Sequence, residues 1–275
     1  MPLKIAVLDM NNGQPNQGMR GIRQILSRFG TDNNILLEWD EFEVRQKNEM
    51  PDTSYHAYIS CGGPGSPLEE GLPWEQKFFS LIEQLYNHNL KNDIDKKYLF
   101  FICHSFQLAA RFFQVGNVTK RRSTSFGVFP VHQTEDGLND PVFQGLPEPF
   151  YAVDSRDWQV VEPNFENLKK MGAKVLAIEK ERPYINLERA VMAIRFSDEM
   201  IGTQFHPEAD ATGMSLHLKT EERKKNVIEI HGEEKYESML EHLNDPDKIM
   251  LTQSIILPSF LENALQPHLS LMLKA

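Results

Sequence analysis

Hydrophobic and polar positions along the chain change period block by block, and each change predicts an element. The stretch from Pro2 to Asp9 carries a short apolar run, which predicts a first strand over Lys4–Leu8. An Asn/Gly-rich loop then leads into a helix from about Gln17 to Phe29, stopped by Gly30. Strands follow near Ile35–Trp39 and over His56–Ser60, then a helix over Trp74–Tyr86 with Pro73 near its start. Tyr98–Ile102 is short, apolar and aromatic-rich, the pattern of a buried strand, and Phe106, Leu108, Ala109, Ala110, Phe112 and Phe113 fit a mostly buried amphipathic helix after it. Strands alternating with helices imply an α/β fold: a mostly parallel sheet with helices on both faces, its site at the carboxyl ends of the strands.

From Thr124 to Phe205 the pattern turns strand-rich, with strands expected over Phe126–His132, Pro149–Val153, Lys174–Glu179 and Ala190–Phe196. Past about residue 213 it changes again. Met214–His231 and Glu234–Leu243 are charged and helix-prone, and Ile249–Leu265 carries apolar residues at helical spacing around Pro258. The expected organisation is a main domain over 1–212 and a helical extension over 213–275, packed on the edge of that domain or offering a docking surface. The Met and Leu side chains of Leu269–Leu273 read as packing. No internal repeat or low-complexity tract interrupts the chain.

Three segments carry candidate chemistry. Cys103 sits where an apolar strand turns into a helix, beside free N–H groups whose partial charge favours a thiolate. In Met200–Glu208 a strand ends at His206-Pro-Glu208; extended backbone projects i and i+2 to one side, so Glu208 can hold one ring nitrogen of His206 while the other faces a substrate. Directly after the strand at 56–60 comes Gly62-Gly63-Pro64-Gly65, a turn of exposed amides able to meet a developing oxyanion, assisted by the N–H after Cys103.

Gly-Gly-Pro-Gly-Ser-Pro at 62–67, Ile-Cys-His-Ser-Phe-Gln at 102–107 and Gln-Phe-His-Pro-Glu at 204–208 together resemble the class I (triad) glutamine amidotransferase domain, as in the glutaminase domain of GMP synthase. The likeness spans roughly residues 3–212 and implies a flavodoxin-like three-layer sandwich. It further implies hydrolysis of the glutamine side-chain amide, with ammonia delivered to a separate synthase or acceptor. Carried over by residue, Cys103 is the nucleophile, His206 the general base and acid, and Glu208 the orienting carboxylate, with the amides of Gly63 and His104 as oxyanion hole. Gly62, Gln107 and the stretch Asp154–Trp158, with Ser155, Arg156 and Asp157, fall where the family contacts its substrate, the last of these in a loop.

The chain departs from the family pattern at Phe101 and Ser105, where the elbow carries glycines, and at Arg156-Asp157, where the family usually has His-Gly. Strand alternation favours a core-facing Phe101. These departures leave two further readings open: a γ-glutamyl hydrolase with the same triad, and a non-catalytic binding protein on the same fold.

Composition narrows the rest. With 275 residues, 40% hydrophobic and 25% charged, the chain is an ordinary globular protein of one large domain plus extras. Net charge of −10 argues against nucleic acid as a partner, and Lys120-Arg-Arg122 reads as a solvated loop. Two cysteines make no disulfide framework, and the N-terminal apolar run is too short for a signal peptide or a membrane span, so the cytoplasm is expected and no membrane partner. His206 and Glu208 lack a third ligand at useful spacing, and the glycines at 62–65 lack dinucleotide and P-loop spacing, so no metal or cofactor is expected. The expected partners are L-glutamine or a γ-glutamyl compound, together with a synthase subunit or a second copy of the chain.

Overall fold

The computed structural model describes residues 2–184, 186–243 and 245–272. The first half alternates strand and helix: β1 (Leu3–Asp9), α1 (Gln17–Asp32), β2 (Leu37–Glu43), α2 (Val44–Lys47), β3 (Ala57–Ser60), α3 (Pro73–Lys91), β4 (Tyr98–Ile102) and α4 (His104–Phe112). A strand-rich stretch follows, with β5 (Asn117–Gln133), α5 (Glu135–Leu138), β6 (Phe150–Val161), α6 (Phe165–Met171), β7 (Lys174–Glu179), β8 (Val191–Arg195) and β9 (Met200–Thr203). The chain continues through α7 (Ala211–Leu218), α8 (Glu221–His231), α9 (Glu233–Leu243), a π-type turn at Pro246–Met250, and α10 (Leu251–Met272).

Among the described residues the strands form one nine-stranded sheet in the order β2-β1-β3-β4-β9-β8-β6-β5-β7. The strands β2, β1, β3, β4 and β9 run parallel. The remainder joins antiparallel, and β7 pairs back onto β8. Parallel pairing needs crossover helices, and those helices cover both faces. Phe100 and Phe101 on β4 make this visible. Phe100 meets Phe260 of α10 with ring centroids 5.2 Å apart, while Phe101 meets Phe78 of α3 at 6.4 Å on the opposite face.

The helix α1 is capped by Asn16, whose side chain accepts from the Gly18 N–H, and it buries Met19, Ile22, Ile25, Leu26 and Phe29 along one stripe. It runs through Gly30 to Asp32 instead of stopping there. The Gly30 carbonyl accepts the N–H of Ile35, and a Cβ at Gly30 would sit 3.3 Å from the Ile35 carbonyl. Gly30 therefore serves close return of the chain, and the turn comes at Asn34, with φ 53°. The strand expected near Ile35–Trp39 starts at Leu37 for the same reason.

The last helix joins the main core. Ile256, Leu257, Phe260, Leu261, Ala264 and Leu265 are buried in one cluster with β1, β3 and β4. A second cluster links Met214, Leu218, Tyr236 and Met239 to Val153 of β6. The packing expected of Leu269–Leu273 falls on side chains outside the described residues. No helix among the described residues is long and apolar enough to cross a membrane.

Candidate active site

The strand β4 ends at Ile102, yet its ladder continues one residue further, because the Cys103 N–H donates to the Thr203 carbonyl at 2.8 Å. The chain must then reverse into α4, and Cys103 absorbs the turn with φ 50° and ψ −100°. An L-residue rarely adopts that conformation. It leaves the sulfur at the head of α4 with 6% of the residue exposed.

Neighbours compensate for the two departures at this elbow. Phe101 pairs in register with Gly202 on β9, and a Cβ at Gly202 would sit 3.0 Å from Phe101 and 2.9 Å from Phe106. The missing side chain on β9 makes room for the phenyl group. Its ring faces the core, against Phe78 and Phe196. Ser105 places its hydroxyl 2.7 Å from that of Ser60 and donates to the Cys61 carbonyl at 2.6 Å, tying the first turn of α4 to the end of β3.

After β9 the chain passes under β6, where the His206 N–H donates to the Val153 carbonyl at 2.8 Å. The His206 Nδ1 lies 2.8 Å from Glu208 Oε1, and Glu208 is only 2% exposed. Two glycines of α1 let it sink so far: a Cβ at Gly18 would sit 2.9 Å from Glu208 Oε1, and one at Gly21 would sit 2.1 Å from the Glu208 carbonyl oxygen. Beyond the acid, Asp210 pairs with Arg20 of α1 at 2.5 Å. The other edge of the imidazole lies beside the Cys103 sulfur. Nε2 makes no hydrogen bond of normal geometry there. Burial alone would push the imidazole down, but the Glu208 carboxylate foremost, and then Cys103, outweigh it and hold His206 well above its ordinary value.

The glycine loop fills the gap between β1 and this pair. A Cβ at Gly62 would sit 2.9 Å from His206 Cε1 and 3.4 Å from Cys103 Cβ, and one at Gly63 would strike the Met10 carbonyl at 2.2 Å. The Cys103 sulfur also lies 3.7 Å from the Ser155 carbonyl and 3.6 Å from the side-chain nitrogen of Gln204, whose oxygen accepts from Gln107 at 3.0 Å. Gln204 was not singled out from sequence. Its place at the head of the 204–208 motif is the sequence signal that points to it, since β9 already ends at Thr203.

The remaining expected substrate contacts separate. Asp154–Trp158 belongs to β6 and not to a loop, because pairing with β5 runs through Ser125↔Arg156 and Phe126↔Ser155. Arg156 is buried and spends its guanidinium on Asp154 at 2.9 Å and Glu179 at 3.3 Å. Asp157 accepts from the Thr124 hydroxyl. Arg121, read as part of a solvated loop, lies in β5 and also reaches Glu179 at 3.2 Å. His104 turns its ring toward the glycine loop and away from the sulfur, with Nε2 3.2 Å from the Ser66 carbonyl.

The second cysteine is a different chemical object. The Cys61 sulfur accepts the Met10 N–H at 3.1 Å and lies 3.0 Å from the Gly62 carbonyl. Burial, and then the nearby Asp9 carboxylate, pushes its thiol well up, away from nucleophilic form. Among the described residues no group of three His, Cys, Asp or Glu could hold a metal ion.

Against known proteins, the class-I glutamine amidotransferase family model matches residues 19–225. A glutamine amidotransferase from Thermotoga maritima has a similar structure, with TM-score 0.68 and 17% identity over 97% of this chain and 99% of that one. A glutamine amido transferase from Methylobacillus flagellatus gives TM-score 0.63 and 15% identity over 97% and 94% of the two chains. The glutaminase domain of Trypanosoma brucei CTPS, solved with bound acivicin, gives 0.58 and 13% over 96% and 94%. No curated protein matches the sequence. At such identities the structural likenesses speak for the fold alone. The family model covers most of the chain, so this protein belongs to the class-I glutamine amidotransferase family.

Proposed function

We propose that the chain hydrolyses the side-chain amide of L-glutamine through Cys103, His206 and Glu208 and passes the ammonia to a separate synthase or acceptor. The observation that carries this reading is the strained Cys103 turn set against an imidazole whose far nitrogen lies 2.8 Å from a buried carboxylate. Cys103 heads α4 with the His206 ring beside its sulfur, the pairing of nucleophile and base that the reaction needs. The thiolate attacks the amide carbon, and the carbonyl oxygen takes the negative charge. The amides of Gly63 and His104 receive that oxyanion, the latter in the first turn of α4, where N–H groups have no intrahelical acceptor. His206 gives its proton to the leaving nitrogen, ammonia departs, and a γ-glutamyl thioester remains. His206 then takes a proton from water, the hydroxide attacks the thioester, and glutamate leaves as the thiolate returns. Gly62, Gln107 and the Ser155 carbonyl border the substrate. Arg156 and Asp157 contribute there through backbone only, since their side chains are engaged elsewhere. Two free, buried cysteines fit a reducing compartment such as the cytoplasm.

Incubation with a glutamine chloroketone or with acivicin should add one label, at Cys103 and not at Cys61, and Cys103→Ala should release no ammonia from glutamine. Labelling of Cys61 alone, or full turnover in Cys103→Ala, would remove the mechanism. A panel of γ-glutamyl compounds decides between readings: preference for free glutamine supports an amidotransferase, and preference for γ-glutamyl peptides a γ-glutamyl hydrolase.

A further inference from the structure

The loop from Gly62 to Pro67 cannot hold itself in place. Pro64 and Pro67 have no N–H to give, and Gly65 turns with φ 93°. Its carbonyls are instead met by three side chains from two elements, α2 and α4. Arg45 of α2 donates to the Pro64 carbonyl and, at 3.3 Å, to that of Met10, with its guanidinium over the Trp74 ring. Arg111 of α4 donates to the Pro67 carbonyl while paired to Glu75. Between them His104, 1% exposed, puts Nε2 against the Ser66 carbonyl at 3.2 Å.

Of the three, His104 is the least explicable as packing. Its Nδ1 is buried without a partner among the described residues, so an apolar ring in the same place would avoid a desolvation cost. Burial, and then the Arg45 charge, pushes the imidazole down to about 4, so the ring is neutral. A carbonyl partner requires the proton on Nε2. One residue thus joins the two halves of the oxyanion hole: its backbone amide belongs to the elbow, and its side chain grips the loop that carries Gly63.

We propose that the His104 side chain is a positioning residue, a strut that fixes the glycine loop against the nucleophile elbow so that both oxyanion donors meet the same oxygen. The proposal rests on the glutaminase reading and deepens it. Loss of the strut lets the loop relax by a fraction of an ångström, which weakens a transition-state contact without touching ground-state binding of glutamine.

The test uses the full chain with His104→Phe and His104→Gln. Phenylalanine fills the space beside Trp74 but cannot donate, so its melting temperature should equal or exceed that of wild type. Its kcat should fall by about 10–100-fold, less than the ~10²–10³ lost when a donor itself is removed, with KM within about twofold. Glutamine at this position can donate to Ser66 and should recover most of the loss. Independently, amide exchange over residues 61–68 should quicken by about tenfold in His104→Phe and return toward wild type in His104→Gln. Wild-type kcat in His104→Phe, or unchanged exchange over 61–68, overturns the strut. A wild-type protein that does not hydrolyse glutamine overturns the glutaminase reading instead, and the exchange measurement still decides whether His104 holds the loop.

Discussion

Burial and charge pull His206 in opposite directions, and the carboxylate of Glu208 decides the outcome. The folded imidazole stays protonated above its ordinary pKa of about 6.5. Its contribution to stability is therefore fully present below that pH and is lost as pH rises through the higher folded value. In the proposed reaction the same sign holds: proton donation from His206 to the leaving nitrogen persists until pH passes the raised value. Glu208→Gln keeps a partner for Nδ1 but removes the leading upward influence, so the alkaline limb of kcat/KM should move to lower pH. Turnover should fall as well, by about one to two orders of magnitude less than in His206→Ala, since the third member of a triad is usually the least costly to remove. Ammonia release measured across pH checks both; superposable profiles would take Glu208 out of the mechanism. Gly62 belongs to the same scale. Any side chain there would press on the His206 ring 2.9 Å away, so the turn glycine also keeps the imidazole in place.

Elements carry the compensation that single residues cannot. Phe101 on β4 is tolerated because β9 offers Gly202 opposite it, and the phenyl ring then fills space between α3 and Phe196. Phe101→Ala should therefore lose about 3–5 kcal/mol, as large-to-small core changes do, and leave the KM for glutamine unchanged. A thermal melt with a glutamine titration checks it; a stable variant with tighter glutamine use would mean that the ring shapes the pocket. The strand Tyr98–Ile102, its turn at Cys103 and the contact of His206 with Glu208 were legible in sequence, because each depends on neighbours within a few residues, although that last pair meets across a turn past the end of β9 and not on extended backbone. The Phe101–Gly202 fit was not, since its halves lie on different strands. Gly30 misled for a similar reason: a glycine used for the close approach of Ile35 looks the same in sequence as one that ends a helix. The loop expected at Asp154–Trp158 came from the family resemblance and gives way to the pairing of β5 with β6, while Arg121 sits in the register break of β5 between Lys120 and Ser125, and buried Asp154 and Glu179 give Arg156 and Arg121 partners.

At the scale of the whole molecule the C-terminal helix is as much core as the strands it covers. Ile256, Leu257, Phe260 and Leu261 each bury a large side chain, worth about 1.5–3 kcal/mol apiece. Their sum is comparable to the ~5–15 kcal/mol that holds an ordinary domain folded. A chain ending before Leu251 should lose its cooperative melt, as circular dichroism against temperature would show; a truncated chain melting like the full one would make α10 dispensable. That margin also bears on the elbow. At φ 50° and ψ −100° Cys103 carries strain of about 1–3 kcal/mol that glycine would largely escape. Cys103→Gly should then unfold at a higher temperature than wild type while hydrolysing nothing, and a lower melting temperature would show the turn to be relaxed. Selection for durability alone would thus push this position toward glycine, and on the proposed mechanism selection for turnover holds a cysteine there. If the proposed reaction is the one under selection, a lineage with no use for released ammonia would be expected to drift toward a sturdier, silent protein by this one substitution.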